Sequence, residues 1–221
     1  KVDREERPDV DRVYMTFIQA TSGGGGWPMS VFLTPRLEPF FGGTYFPPDN
    51  RYGRPGFKTL LEHIEKAWKN DRAQIEDSGT KVIAQLREYL DQAKASSGSV
   101  DASAFESGFN VFRRSFDSVH GGFGQAPKFP RPASLHFLLR YYKRTGNEEA
   151  LEMTLATLRA MAEGGMKDQL GGGFHRYSVD ERWLVPHFEK MLYHQAQLAI
   201  SYLEAFQITR KEFFAAEARG I

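Results

Sequence analysis

The heptapeptide Asp117-Ser118-Val119-His120-Gly121-Gly122-Phe123 returns as Asp168-Gln169-Leu170-Gly171-Gly172-Gly173-Phe174, 51 residues further on. Both copies read Asp-x-x-x-Gly-Gly-Phe, and each follows a segment with helical apolar spacing. The first follows Phe105, Phe109, Phe112 and Phe116; the second follows Leu151, Leu155, Leu158 and Met161. Each also leads into a segment opened by proline, which suits a first helical turn: Pro132–Tyr142 and Pro186–Phe206. A two-helix unit of about 50 residues with a glycine loop on one rim buries its apolar face only by stacking on its neighbours. From Asp101 onward the pattern is helices alone, which predicts hairpins of an α/α toroid. Two units do not close a ring, so a piece of a longer protein is expected, with an apolar face left open.

The first hundred residues follow a different plan. After Pro8, Val10, Val13, Tyr14, Phe17 and Ile18 recur at helical spacing, and Gly23–Gly26 end that helix. Met29–Leu33, an apolar run between Pro28 and Pro35, predicts a buried strand. Pro35–Glu38 reads as a turn and Pro39–Tyr45 as a second strand, with Gly42 and Gly43 marking the expected place for a bulge. Phe57, Leu60, Leu61, Ile64 and Trp68 predict a helix, and Ile75, Val82, Ile83, Leu86 and Leu90 a further one. Helix, strand, hairpin, strand, helix is the closing half of an α/β thioredoxin-like fold. The predicted organisation is therefore a partial thioredoxin-like domain over 1–94, a linker over 95–100 whose core is Ala95-Ser96-Ser97-Gly98-Ser99, and toroid hairpins over 101–221.

Composition narrows the chemistry. The 221 residues carry a formal charge of +1 with acidic and basic side chains interleaved, which argues against nucleic-acid binding by bulk electrostatics. No apolar run approaches the ~18 residues of a membrane span, and no signal peptide is recognisable. The chain has no cysteine, so disulfides, thiolate metal sites and cysteine nucleophiles are excluded for these residues. That absence assigns no compartment; the cytoplasm is the default expectation. Lys1-Val2-Asp3 reads as the end of a strand without a starter methionine, and Phe213–Ile221 stops inside a helical pattern, which again suggests a fragment.

Four runs carry a family resemblance: Lys1–Asp11, Gly42–Pro48, Ala126-Pro127-Lys128-Phe129-Pro130, and Gly172–Asp180 leading to Pro186–Tyr193. Together they resemble the spermatogenesis-associated protein 20 family, whose bacterial members are usually called thioredoxin domain-containing proteins. The resemblance spans essentially the whole chain. It implies a thioredoxin-like domain joined to an (α/α)6 barrel of the six-hairpin glycosidase and N-acylglucosamine 2-epimerase type. It also implies a Cys-x-x-Cys segment that would lie ahead of Lys1. X-Pro bonds are mostly trans, but the resemblance favours a cis bond at Trp27-Pro28, where thioredoxin-like folds meet an extended substrate. Trp27 and Pro28 are accordingly candidate substrate contacts; the alternative is a proline that merely starts a strand.

The densest set of chemically able groups is Gly171–Glu189. Sugar sites need aromatic platforms, carboxylates and arginine for hydroxyls, and a proton carrier active near neutral pH. Trp183 is the expected platform, with Arg176 and Tyr177 as further binding residues. His175 or His187 is the expected proton carrier, and Glu189 or Asp180 its partner. The alternative is a structural loop in which histidine and arginine cap helix ends. Asp117 with Asp168, or Asp180 with Glu189, would serve as paired carboxylates for glycoside hydrolysis if suitably spaced. The equivalent repeat positions of Asp117 and Asp168 instead favour a structural job, tying loop amides.

His187 and His194 are seven apart on one expected helix face, yet no His-x-x-x-His pair exists, and no metal or cofactor is called for. Gly23–Gly26 lack the lysine of a phosphate cradle. Lys128, between prolines, is expected to be solvated.

Two functions compete. One is a carbohydrate-metabolising enzyme, epimerase- or hydrolase-like, whose barrel acts on a sugar. The other is a thioredoxin-like redox or binding module with its thiols upstream, whose barrel docks a protein partner.

Overall fold

The computed structural model describes residues 1–51, 53–95 and 101–221, so most of the expected linker lies outside the described residues. Two compact units result, Lys1–Gly98 and Ser99–Ile221. Among the described residues no helix is long and apolar enough to cross a membrane.

In the first unit, α1 (Pro8–Ser22) starts with Pro8 in its first turn and ends on Gly23 in the left-handed conformation. Met15, Phe17 and Ile18 form its buried face, while Val13 faces solvent. Strands β1 (Ser30–Leu33) and β2 (Pro39–Gly43) pair antiparallel. Contrary to expectation, β1 is half-buried rather than buried; among the described residues it pairs with β2 alone.

The bulge also falls elsewhere than expected. Phe32 pairs with Phe41 and Leu33 with Pro39, so the extra residue is Phe40, not Gly42 or Gly43. That turns Phe40 onto Trp68 of α2 (Phe57–Asn70), their rings stacked at 6.2 Å. Helix α3 (Arg72–Ala95) packs on β2, with Gly79 close against Thr34 and Glu38. Its expected apolar face is half-buried at Ile75, Val82, Ile83 and Leu86; the Leu90 side chain lies outside the described residues.

The second unit contains α4 (Ser103–Ser115), α5 (Pro132–Thr145), α6 (Glu148–Glu163), α7 (Leu192–Thr209) and α8 (Glu212–Arg219). Helix α5 packs against α4, α6 and α7, and α7 against α8. Gly146 and Asn147 make the sharp corner between α5 and α6: Gly146 takes a left-handed conformation and Asn147 caps α6 by accepting from the Ala150 amide. Phe109, Leu135, Leu138, Met153, Leu158, Phe174, Leu198 and Tyr202 belong to one buried core.

Two corrections apply here. The unit is not helices alone, since β3 (Tyr177–Ser178) and β4 (Pro186–His187) form a short antiparallel ribbon. Consequently Pro186 does not open a helix: α7 begins at Leu192, and His187 and His194 do not share a helix face. The hairpins are helical as expected, but five helices do not themselves constitute a toroid.

Gly42 is a tight point where β2 meets α1 in the first unit. An added Cβ would lie 2.6 Å from Ile18 Cδ1 and 3.0 Å from the Ser30 carbonyl oxygen, with Ile18 fully buried. Gly42→Ala should therefore cost about 1–3 kcal/mol, the usual penalty of overpacking. Residue-resolved hydrogen exchange checks this: amides of α1 and β2 should lose protection while those of α5 and α6 keep theirs.

Candidate functional site

The repeated heptapeptide builds the same loop twice. The Asp117 amide donates to Gly122 O and the Gly121 amide to Asp117 O; the Asp168 amide likewise donates to Gly173 O and the Gly172 amide to Asp168 O. Gly121, Gly122, Gly172 and Gly173 all have φ between +71° and +86°, which is why the motif holds paired glycines. Asp117 Oδ1 accepts from the amides of Val119 and His120, and Asp168 Oδ1 from those of Leu170 and Gly171. Both aspartates tie loop amides.

Each loop is then closed by a lysine. Lys128 Nζ donates to Asp117 Oδ2 at 2.5 Å and Gly121 O at 2.7 Å. Lys190 Nζ donates to Asp168 Oδ2 at 2.6 Å and Gly172 O at 2.8 Å. Burial pushes the Asp117 carboxyl up, but the Lys128 ammonium and the His120 and Val119 amides outweigh it and hold the group well below the usual carboxylate range. Asp168 is held low by the Gly171 amide first, then by Lys190 and the Leu170 amide. Lys128 is therefore not solvated: its side chain is only 1% exposed.

The seal over Lys128 is Trp183, expected to be a sugar platform. Trp183 is fully buried; its Nε1 donates to His120 O and Gly121 O, and its ring lies against Gly122. It has no face open to a ligand. Asp180 is likewise occupied: Oδ1 accepts from the Arg182 and Leu184 amides and Oδ2 from Val185 at 2.6 Å. Burial pushes its carboxyl up, and those three amides more than reverse the effect. Asp180 thus folds the loop that carries Trp183 rather than partnering a histidine. Asp117, Asp168 and Asp180, each engaged by amides, are poorly placed for acid–base work.

The remaining candidates lie in and beside the β3–β4 ribbon. Tyr177 of β3 faces His187 of β4 across the ribbon, their rings stacked at 4.6 Å, and Phe129 stacks on Tyr177 at 4.7 Å. The amide and carbonyl of Lys128 pair with those of Ser178, fixing the two loops together. Arg176 Nη1 donates to Glu189 Oε2 at 2.8 Å, so Glu189 is engaged by arginine rather than by His175 or His187. His175 meets Phe188 edge-on at 5.2 Å. Phe129, Lys190 and Gln195, which clasps the Phe174 amide and carbonyl, have structural places that the sequence does not announce, and Lys128 is buried where a solvated lysine is expected. Only Lys128 carried a signal in the sequence, its place between two prolines.

In the first unit, Trp27-Pro28 is cis, as the resemblance implies. Trp27 is exposed; its Nε1 donates to Asp11 Oδ1, and the Arg4 guanidinium lies 4.0 Å from the ring centre. Trp27, Pro28, Tyr14, Val31, Leu33 and Phe57 border a groove of about 570 Å³ beside β1.

Residues 1–87 match the Thioredox_DsbH family model, described as a protein of unknown function, DUF255. Along its whole length the chain is 48% identical to spermatogenesis-associated protein 20 of Homo sapiens and 49% identical to that of Mus musculus. It is 47% identical, over 96% of its length, to an uncharacterized protein of Caenorhabditis elegans. The chain spans 29% of the length of each of these relatives.

Burial lowers the affinity of His175 and His194 for protons, helped by the Lys190 cation at His175, where Asp168 opposes it, and by Arg176 at His194. The Nδ1 atom of each is buried with no hydrogen-bond partner among the described residues. A lowered folded-state value means that the unfolded chain takes up protons first as pH falls. Their contribution to stability is full above the ordinary imidazole value of about 6.5 and is lost below it. Thermal melts from about pH 7.5 to about 5.5 should show the second unit losing stability, and losing less of it in a His175→Gln/His194→Gln variant.

Proposed function

The chain belongs to the spermatogenesis-associated protein 20 family, with a thioredoxin-like first unit, and on that premise we propose that its helical unit binds a carbohydrate at the rim. In this reading the helical hairpins are part of an α/α toroid, and the parent protein acts in carbohydrate metabolism. The observation that carries it is the three-ring stack Phe129–Tyr177–His187, with the Arg176–Glu189 ion pair in the same loop. His187 and Phe129 are exposed, so the ends of the stack are open to the apolar face of a sugar ring. Arginine and carboxylate together suit hydroxyls, one donating and the other accepting.

Binding, rather than turnover, is the part of this reading that the geometry favours. A histidine acting as general base needs an orienting partner, whereas Glu189 is engaged with Arg176 and Asp180 with loop amides. His175 and His187 are retained as the groups to test for proton transfer, each close to an aromatic ring rather than a carboxylate.

A second reading rests on the first unit. A groove beside the cis Trp27-Pro28 step is lined by Tyr14, Val31, Leu33 and Phe57. An extended polypeptide lying beside Trp27 and Pro28 would gain apolar contacts in that groove. This is the thioredoxin-like binding-module alternative.

One titration series separates them. The isotope-labelled chain is mixed with glucose, mannose or N-acetylglucosamine, and separately with a peptide of alternating valine and threonine. Sugar-induced shifts confined to Tyr177, His187 and Phe129, weakened about tenfold in His187→Ala, are the expected result. Absence of any rim shift with all three sugars overturns the carbohydrate reading. Peptide-induced shifts at Trp27 and Ser30–Leu33 would then favour the second.

A further inference from the structure

One loop has been built twice and sealed once. Over the first copy, Trp183 closes the surface: its ring covers Gly122 and its centre lies 5.7 Å from Lys128 Nζ. At the second copy, the place against Gly173 is taken by the Gln195 amide instead of an indole. The result is a large difference between otherwise equivalent lysines, 1% side-chain exposure for Lys128 against 36% for Lys190. Lys190 is nonetheless held as firmly, by Asp168 Oδ2 and Gly172 O.

An ion pair in solvent contributes little to folding, so the second pair is not needed for stability in the way the first is. It is instead a pre-positioned donor and acceptor facing outward. An ammonium has three donor hydrogens, and two of those of Lys190 are used. Phe188, 82% exposed, sits beside His175, on which both Lys190 and Asp168 act electrostatically.

We infer that the Asp168–Lys190 pair is the polar anchor of the rim site and that the ligand it selects is a neutral sugar. This inference rests on the carbohydrate reading and sharpens it. One hydroxyl both donates to a carboxylate and accepts from an ammonium, so it satisfies the pair without adding charge. An anionic ligand meets Asp168 beside Lys190 and Glu189 beside Arg176, each cation already neutralised. Two matched pairs therefore discriminate against sugar acids and sugar phosphates, and the Phe188 ring offers an apolar surface to the ring carbons.

The test uses the full chain, with Lys128 as internal control. Glucose and N-acetylglucosamine are compared with glucuronate and glucose 6-phosphate, by chemical-shift titration, on the unaltered protein, Lys190→Met and Lys128→Met. Neutral sugars should bind about tenfold or more tightly than the anionic ones, and Lys190→Met should weaken them by about tenfold or more. Lys190→Met should keep its melting temperature, whereas Lys128→Met should lower it. In the unaltered protein, a neutral sugar should also slow trinitrophenylation of Lys190, a readout that needs no variant.

Sugar binding that survives Lys190→Met without Lys190 protection overturns the anchor while leaving the carbohydrate reading intact. Equal or tighter binding of the anionic sugars overturns the selectivity. Failure of all four sugars to bind removes the carbohydrate reading, and the anchor with it.

Discussion

The buried ammonium of Lys128 is the constraint on which the second unit depends. A lysine with 1% of its side chain exposed is tolerated only where its charge and donors are met, and here Asp117 Oδ2 and Gly121 O meet them. Breaking a buried pair of this kind costs about 3–5 kcal/mol; the partial exposure of Asp117 places this one toward the lower end. The same residue joins the two motif loops, because its own amide and carbonyl pair with Ser178. Position, charge and rim geometry are thus settled by one side chain and its backbone. Tyr177, next to Ser178, is carried by that junction to a place where Phe129 and His187 both stack on its ring.

Divergence between the two copies explains why the rim has an open half. The first copy uses Thr157 Oγ1 to accept from the Gly122 amide; the second uses the Gly220 carbonyl to accept from Gly173. Phe116, opposite Phe123, has its counterpart in Lys167, opposite Phe174 and paired with Glu217. Trp183 has its counterpart in Gln195. Every exchange trades an apolar or hydroxyl contact for a more polar one, while the aspartate, the glycines and the closing lysine stay. The backbone loop is therefore independent of what covers it, and a change of cover alters exposure without altering conformation.

Much of this was legible in the sequence where one residue type serves one local geometry. Pro8 and Gly23 bound α1, and the paired glycines announce positive φ, because those signals are written in backbone sterics. The amide-tying role of Asp117 and Asp168 followed from their equivalent positions. The lysines were not legible as a pair, since Lys128 follows its aspartate by 11 residues and Lys190 by 22, which no fixed period reveals. Trp183 looked like a platform because composition cannot distinguish an indole that covers a ligand from one that covers a lysine. Asp180 and Pro186 misled for a related reason: a carboxylate that folds a loop and a proline in a two-residue strand resemble a catalytic acid and a helix start. The bulge went to Phe40 rather than the glycines because stacking on Trp68 rewards turning a large ring.

Electrostatic balance also bears on what chemistry the rim can host. General acid–base catalysis is most effective when a group is held near the operating pH by an unbalanced environment. Around Gly171–Lys190 the opposite has been built: Arg176 with Glu189, Lys190 with Asp168, and Asp180 with three amides. Matched pairs hold geometry and offer hydrogen bonds without favouring proton transfer. The exceptions are His175 and His194, whose affinity for protons burial lowers and whose Nδ1 atoms are buried with no hydrogen-bond partner among the described residues. With no cysteine in the chain, the redox chemistry associated with a thioredoxin-like unit has no thiol among these residues.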